Sequence, residues 1–170
     1  MLIAILEDRV FRRRTRESYT KRWTVRCIAY NQDNELVFLR IKGTDALGMR
    51  DHLETIGGGV ENEESLEDAL IREVREEIGY SCTIEKKLGY IVDHYNVLNR
   101  ETISTYFIIR LNSYIGGEER SEQEKVLMHG LETYTEEEAI KKLGTYMKRT
   151  ANELVQRRDY MALRYYMENK

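Results

Sequence analysis

Glu73, Glu76 and Glu77, within the stretch REVREEIGY from Arg72 to Tyr80, stand three and four residues apart. That spacing gathers side chains on one face of a helix, where like charges cost about a few tenths of a kcal/mol per pair. On a helical wheel, Leu70, Ile71, Val74 and Ile78 share one apolar arc, the three glutamates fall beside it, and Arg72 and Arg75 point elsewhere. An acidic face kept only for solubility interleaves Glu with Lys, whereas this one repels itself. The segment also follows three glycines, Gly57, Gly58 and Gly59, where backbone can approach a ligand closely. Three convergent carboxylates with a glycine carbonyl nearby make a hard, all-oxygen environment. Mg²⁺ or Mn²⁺ suits it, above all where phosphate oxygens complete the octahedron.

The elements that must hold these residues can be read around them. SLEDALIREVREEI, 65–78, starts as a helix with Ser65 and Asp68 matching a capping box, and Gly79 stops it. WTVRCIAY (23–30) and ELVFLRI (35–41), joined by the turn-forming NQDN, predict a β-hairpin. A polar loop, KGTDALGMRDH, leads to a short strand, LETI, that feeds the glycines. Further strands are expected within KKLGYIVDHYNVL and TISTYFIIRL. Thr135 and Glu138 cap a short helix ending near Leu143, and a last helix runs roughly from Thr150 to Met167. Strands interspersed with a few helices, in no βαβ rhythm, predict an α+β domain with a mixed sheet.

Composition bounds the rest. A chain of 170 residues, 41% hydrophobic, fits one globular domain over 1–170 with a sizeable core. At 34% charged residues the surface is heavily solvated. The net charge of −3 offers no overall basic field for polymeric nucleic acid. Cys27 and Cys82 form no CxxC pair and read as small hydrophobes in a reducing compartment. The opening MLIAIL is too short for a signal-peptide core or a membrane span, so a soluble cytoplasmic protein is expected.

The stretch GGVENEESLEDALIREVREEIGY resembles the Nudix box: Gly, five residues, Glu, seven residues, Arg-Glu, an aliphatic, any residue, Glu-Glu, any residue, Gly, an aliphatic. Gly58, Glu64, Arg72, Glu73, Val74, Glu76, Glu77 and Gly79 each fall on their place. Tyr80 stands where an aliphatic is usual, and Ile56 where the family often has proline. The resemblance implies a Nudix-type α/β/α sandwich and an enzyme that hydrolyses a nucleoside diphosphate linked to another group, with water attacking phosphorus. It also implies that Glu73, Glu76 and Glu77, with the carbonyl of Gly57 or Gly58, hold Mg²⁺ or Mn²⁺. Arg72 would orient Glu73 by a salt bridge, and Glu64 would support the loop. Hydrolysis of a multiply anionic pyrophosphate needs charge neutralisation and a positioned water more than a covalent nucleophile. On this reading a cation relieves the crowding of the carboxylates.

Members of the family take their general base either from the Arg-Glu pair, here Glu73, or from a late loop. NSYIGGEERSEQEKV carries Glu118, Glu119, Glu122 and Glu124 behind a Gly116-Gly117 hinge, and Glu124, then Glu122, are the favoured candidates because SEQEK precedes the next strand. Arg12, Arg13, Arg14 and Arg16 form a basic cluster that reads as a substrate-phosphate contact, an exposed N-terminal strand or a homodimer surface. His52, His94 and His129 show no metal-ligand spacing. Tyr95 lies where dinucleoside polyphosphate hydrolases of the family carry a base-stacking tyrosine. The alternatives to a pyrophosphohydrolase are a Nudix-fold nucleotide sensor without turnover and an unrelated scaffold with an acidic helix. A small nucleotide is the expected substrate, with no membrane partner.

Overall fold

A computed structural model describes residues 1–45, 48–145, 150 and 152–170. Strands β1 (Leu2–Glu7), β2 (Thr20–Tyr30), β3 (Leu36–Asp45), β4 (Gly48–Glu54), β5 (Tyr80–Tyr95), β6 (Arg100–Tyr114) and β7 (Met128–Tyr134) join in one seven-stranded sheet. Its order is β1-β5-β6-β2-β3-β4, with β7 on β3. The β1–β5 and β2–β6 pairs are parallel and the others antiparallel, so the sheet is mixed as expected. The helices are α1 (Leu66–Ile78), α2 (Glu122–Leu127), α3 (Glu136–Gly144) and α4 (Glu153–Glu168).

Alternation along the strands makes the layers, because successive side chains of a strand face opposite sides. Val25, Cys27 and Ala29 of β2 with Phe107 and Ile109 of β6 pack against Leu70, Val74 and Ile78 of α1. Ile28, Tyr30, Tyr106 and Ile108 pack on the other side against Ala139 and Leu143 of α3 and Leu154, Ala162 and Leu163 of α4. This is the α/β/α sandwich of an α+β fold.

Five local expectations need correction. The β2–β3 hairpin exists, with the Asn31 side chain accepting from the Asp33 and Glu35 amides in its turn, but it registers only Ala29 with Val37 and Tyr30 with Leu36. Beyond that the glycine run takes the edge of β2: the amides of Val25 and Cys27 donate to the Gly58 and Ile56 carbonyls, and that of Val60 to Trp23, each at 3.0 Å. The opposite edge of β2 pairs with β6 in parallel over its full length. The expected polar loop 42–52 is instead the facing ends of β3 and β4, paired from Lys42–Asp51 to Asp45–Gly48; Ala46 and Leu47 lie outside the described residues. The ions Arg50 and Asp45, 2.8 Å apart, hold that polar hairpin together. SEQEK is not loop but the start of α2, capped reciprocally by Ser121 and Glu124. At Ser65 only half of the expected capping box forms, the Asp68 amide donating to the Ser65 hydroxyl. The last helix begins at Glu153 rather than Thr150; Ala151 between them is outside the described residues.

Candidate active site

α1 presents its glutamates to the glycine run on β2. Gly57 has φ +134, and a Cβ there would overlap the Val25 carbonyl, so only glycine passes this close to the strand. Its amide donates to Glu77 Oε2 at 2.7 Å. A Cβ at Gly58 would overlap the Glu73 carboxylate, so Glu73 lies directly on that glycine. Glu73 and Glu77 therefore meet at adjacent glycines. The Gly57 carbonyl lies between the two that accept from β2 and takes no part in that ladder.

Arg72 does not point elsewhere but reaches back over the loop. Its guanidinium donates to both oxygens of Glu64 (2.8 and 2.9 Å), to Glu73 (2.9 Å), to Glu76 (2.9 Å) and to the Gly59 carbonyl (2.9 Å). Glu64 in turn accepts from the Glu61 amide at 3.1 Å. The crowding read from the sequence is thus relieved in part by Arg72, within the chain. Glu76 is drawn to this fork, and among the described residues no three His, Cys, Asp or Glu side chains converge on one point.

Burial pushes the Glu77 carboxyl up to about 8, against Arg26 and the Gly57 amide and with Glu73 and Glu54 adding to the rise. Burial likewise raises Glu73, although Arg72 pulls it down. Two desolvated carboxylates, Glu73 adding to the rise at Glu77, on glycines with one carbonyl outside the ladder, form an oxygen donor set that suits a hard divalent cation. Glu73, Glu77 and Gly57 fit the ion; Glu76 is held 2.9 Å from Arg72.

A cavity of about 320 Å³ opens from Gly57, Gly58 and Glu77. Glu124 and Ser121 line it, the Glu124 carboxylate accepting from the Ser121 amide at 2.7 Å. Glu122 is exposed and pairs with Lys125 at 2.6 Å. Glu118 accepts from the Tyr114 hydroxyl at 2.9 Å. The Glu119 amide donates to the Glu76 carbonyl at 3.1 Å and Arg120 to the Glu77 carbonyl at 2.8 Å. These two bonds tie the segment after Gly116-Gly117, both at positive φ, to the C-terminal end of α1. Tyr95 lines the cavity as a buried ring with the Arg100 guanidinium 5.4 Å from its centre. His52 lines it too, 3.5 Å from Glu54. His94 instead stacks on Tyr19 and pairs with Glu7, and His129 is on exposed β7. Of the N-terminal arginines, Arg13 lies over the Tyr19 ring and donates to Asn99, and none lines the cavity.

Arg22, Arg26, Arg50, Arg100 and Arg158, none singled out from the sequence, line this same cavity. Two of them belong to a buried network. Arg26 pairs with Glu54 at 3.1 Å and donates to the Thr55 carbonyl at 2.8 Å. Arg158 donates to Asp159 (2.9 Å) and to the Tyr106 hydroxyl (3.1 Å), and Asp159 accepts from the Thr55 amide at 2.7 Å. Burial acts to raise the Glu54 carboxyl, but Arg26, His52 and Arg158 outweigh it and hold it well below the usual range. Through Asp159, α4 thus anchors the chain two residues before Gly57. The alternation of Arg22, Thr24 and Arg26 along β2 was a visible signal of a polar strand face, but nothing local reveals that Arg100 and Thr102 of β6 lie beside it.

The NUDIX domain family model matches residues 20–153. Among solved structures, the chain is similar to a NUDIX hydrolase from Nitrosomonas europaea, with 18% identity, 89% of this chain and 91% of that one covered, and a TM-score of 0.66. It is also similar to the MutT protein from Methanosarcina mazei Go1, with 20% identity, coverage of 92% and 99%, and a TM-score of 0.60. A UDP-X diphosphatase matches with 15% identity over 91% of this chain and 66% of that one, with a TM-score of 0.58. At these identities the likeness is one of fold. No curated protein matches in sequence.

Proposed function

Because the chain belongs to the NUDIX domain family, whose members are hydrolases of phosphoric anhydride bonds that generally use divalent metal ions, we propose that it is a Mg²⁺- or Mn²⁺-dependent pyrophosphohydrolase. It cleaves a nucleoside diphosphate linked to another group. The observation that carries this reading is the meeting of Glu73 and Glu77 at Gly57 and Gly58, beside a cavity that also holds Glu124. Glu73, Glu77 and the Gly57 carbonyl hold the cation, with Glu76 the further carboxylate of the set. A divalent ion there supplies neutralisation of the pyrophosphate oxygens.

The remaining work falls to the chain's own groups. Arg72 fixes Glu73 and Glu76 while Glu64 fixes Arg72, so the carboxylates are aimed before substrate arrives. Glu124 takes the proton of the attacking water as its oxygen bonds to phosphorus and the bridging oxygen leaves. Glu124 is better placed than Glu122 because it faces the cavity while Glu122 faces solvent. On this reading the protein acts as a single domain in the cytoplasm, where the free Cys27 and Cys82 stay reduced. Among the described residues no helix is long and apolar enough to cross a membrane. The test is a panel of nucleoside triphosphates, nucleotide sugars and dinucleoside polyphosphates with Mg²⁺, Mn²⁺ or EDTA, products being identified by mass. Cation-dependent release of a nucleoside monophosphate or diphosphate supports the reading; binding without turnover across the panel replaces it with the nucleotide sensor.

A further inference from the structure

Arg22 and Arg100 differ from the other arginines of the cavity. Arg26, Arg50 and Arg158 each have a carboxylate partner, in Glu54, Asp45 and Asp159. Neither Arg22 nor Arg100 donates a hydrogen bond or forms an ion pair among the described residues, and Arg100 Nε is buried without a partner. The two stand at the same end of neighbouring parallel strands, β2 and β6, where Arg22 is in register with Thr102 and Arg100 with Thr20. Arg22 stands exposed at the rim and Arg100 is half-buried; desolvation, then Arg100 and Arg26, hold the Arg22 guanidinium below the ordinary arginine value, against the pull of Glu73. Unpaired like charges at the mouth of a recess are unfavourable unless an anion occupies it.

Two buried polar side chains lining the same cavity are also unsatisfied. Thr102 is 3% exposed and lines the cavity, and its hydroxyl has no hydrogen-bond partner. His52 is 4% exposed and lines the cavity; its Nδ1 has no hydrogen-bond partner, while its Nε2 lies 3.5 Å from Glu54. Buried polar groups are otherwise almost always paired. Two free guanidiniums in one cavity with orphaned donors match the oxygens of a phosphate, which guanidinium binds in a planar fork. The cation site at Gly57, Gly58 and Glu77 opens on the same cavity.

We propose that Arg22 and Arg100, with Thr102, form a second phosphate site, and that the substrate therefore carries at least one phosphoryl group in series beyond the anhydride that is cut. This rests on the pyrophosphohydrolase reading and sharpens it: a nucleoside triphosphate or a dinucleoside polyphosphate uses both sites, and a nucleotide sugar with two phosphates leaves one empty.

Direct binding separates this proposal from that reading, because it needs no turnover. Calorimetry with inorganic tripolyphosphate and pyrophosphate, at fixed Mg²⁺ and ionic strength, gives a ratio of two Kd values for each protein. The wild type is expected to bind tripolyphosphate at least about tenfold more tightly, and Arg22→Gln and Arg100→Gln each to reduce that ratio about tenfold. Arg100→Lys, which keeps the charge without the fork, recovers part of it. Arg14→Gln, an identical charge change outside the cavity, leaves the ratio alone. A ratio near one in the wild type, or one that Arg14→Gln lowers as much as Arg100→Gln, overturns the proposal. If the ratio behaves as expected but no anhydride is hydrolysed, the phosphate site stands and the hydrolase reading fails.

Discussion

Replacing Glu77 by Gln should stabilise the metal-free protein, by an amount that depends on pH. The folded carboxyl sits at about 8 and the ordinary value is 4.5, so between those limits the folded state binds more protons than the unfolded. Stability then falls as pH rises through that window, is complete below about 4.5, and is fully lost above 8. At 1.36 kcal/mol per pH unit the loss reaches about 3 kcal/mol at pH 7 and about 5 kcal/mol at pH 9, to order of magnitude. A glutamine keeps the volume and an oxygen to accept the Gly57 amide, and it does not titrate. Groups away from the site titrate alike in both proteins, so their difference reports Glu77 together with its coupling to Glu73 and Glu54.

Thermal melts in EDTA from pH 5 to 9 provide the assay. The two proteins should melt together near pH 5 and diverge by roughly 6 to 12 °C at pH 7, taking about 2 to 4 °C per kcal/mol for a chain of this size. Saturating Mg²⁺ should then close most of that gap at pH 7. Wild type gains RT ln(1 + [L]/Kd), about 2.7 kcal/mol at one hundred times Kd, while the variant, short of one ligand, gains less. A difference that stays flat from pH 5 to 9, or a glutamine variant that melts lower at pH 8 in EDTA, refutes the argument: the Glu77 charge would then be fully compensated within the fold.

Three further outcomes are expected. Glu124→Gln should lower kcat by roughly 10² to 10⁴, and Glu122→Gln far less, measured at saturating cation; equal effects would remove Glu124 as the base. Glu76→Gln should fail to raise the melting temperature in EDTA and should lower stability by about a few tenths of a kcal/mol, because the lost Arg72–Glu76 bond outweighs the relieved repulsion. Asp159→Asn should cost about 3 to 5 kcal/mol in urea unfolding, since it strips Arg158 of its buried partner; a loss below about 1 kcal/mol would show that the network does not anchor the glycine run.

The carboxylates were legible because their geometry is local. Three- and four-residue spacing, a serine before the helix and a glycine after it are all set within fifteen residues, and α1 follows them closely. The runs WTVRCIAY and TISTYFIIRL were likewise readable as strands, and strands interspersed with a few helices in no βαβ rhythm pointed to the mixed sheet. What local reading missed was which edges meet. The turn at Asn31–Asn34 was visible, but not that residues 56–60 would replace β3 along β2 beyond Cys27. The Arg72–Glu73 pair implied by the resemblance is present; what the wheel missed is the rest of the fork, since it assigns a direction from the Cα whereas a long guanidinium follows its hydrogen bonds to Glu64 and Glu76 as well.

Net charge misleads here for a related reason. A total of −3 argues against a broad basic surface, but a site is built from the few charges that topology brings together. β2 contributes Arg22 and Arg26, β4 Arg50, β6 Arg100 and α4 Arg158, and each of these segments is unremarkable on its own. Of the five, three are neutralised by Glu54, Asp45 and Asp159. The paired arginines shape the cavity and the unpaired two leave it positive toward a ligand. Across from them Glu77 lines the cavity with a buried carboxyl whose proton a cation would displace, and Glu73 lies beside it on Gly58. A recess with free guanidiniums on one wall and that carboxyl on another favours a ligand that arrives as metal and polyphosphate together, the metal meeting the carboxyl and the phosphates meeting the arginines.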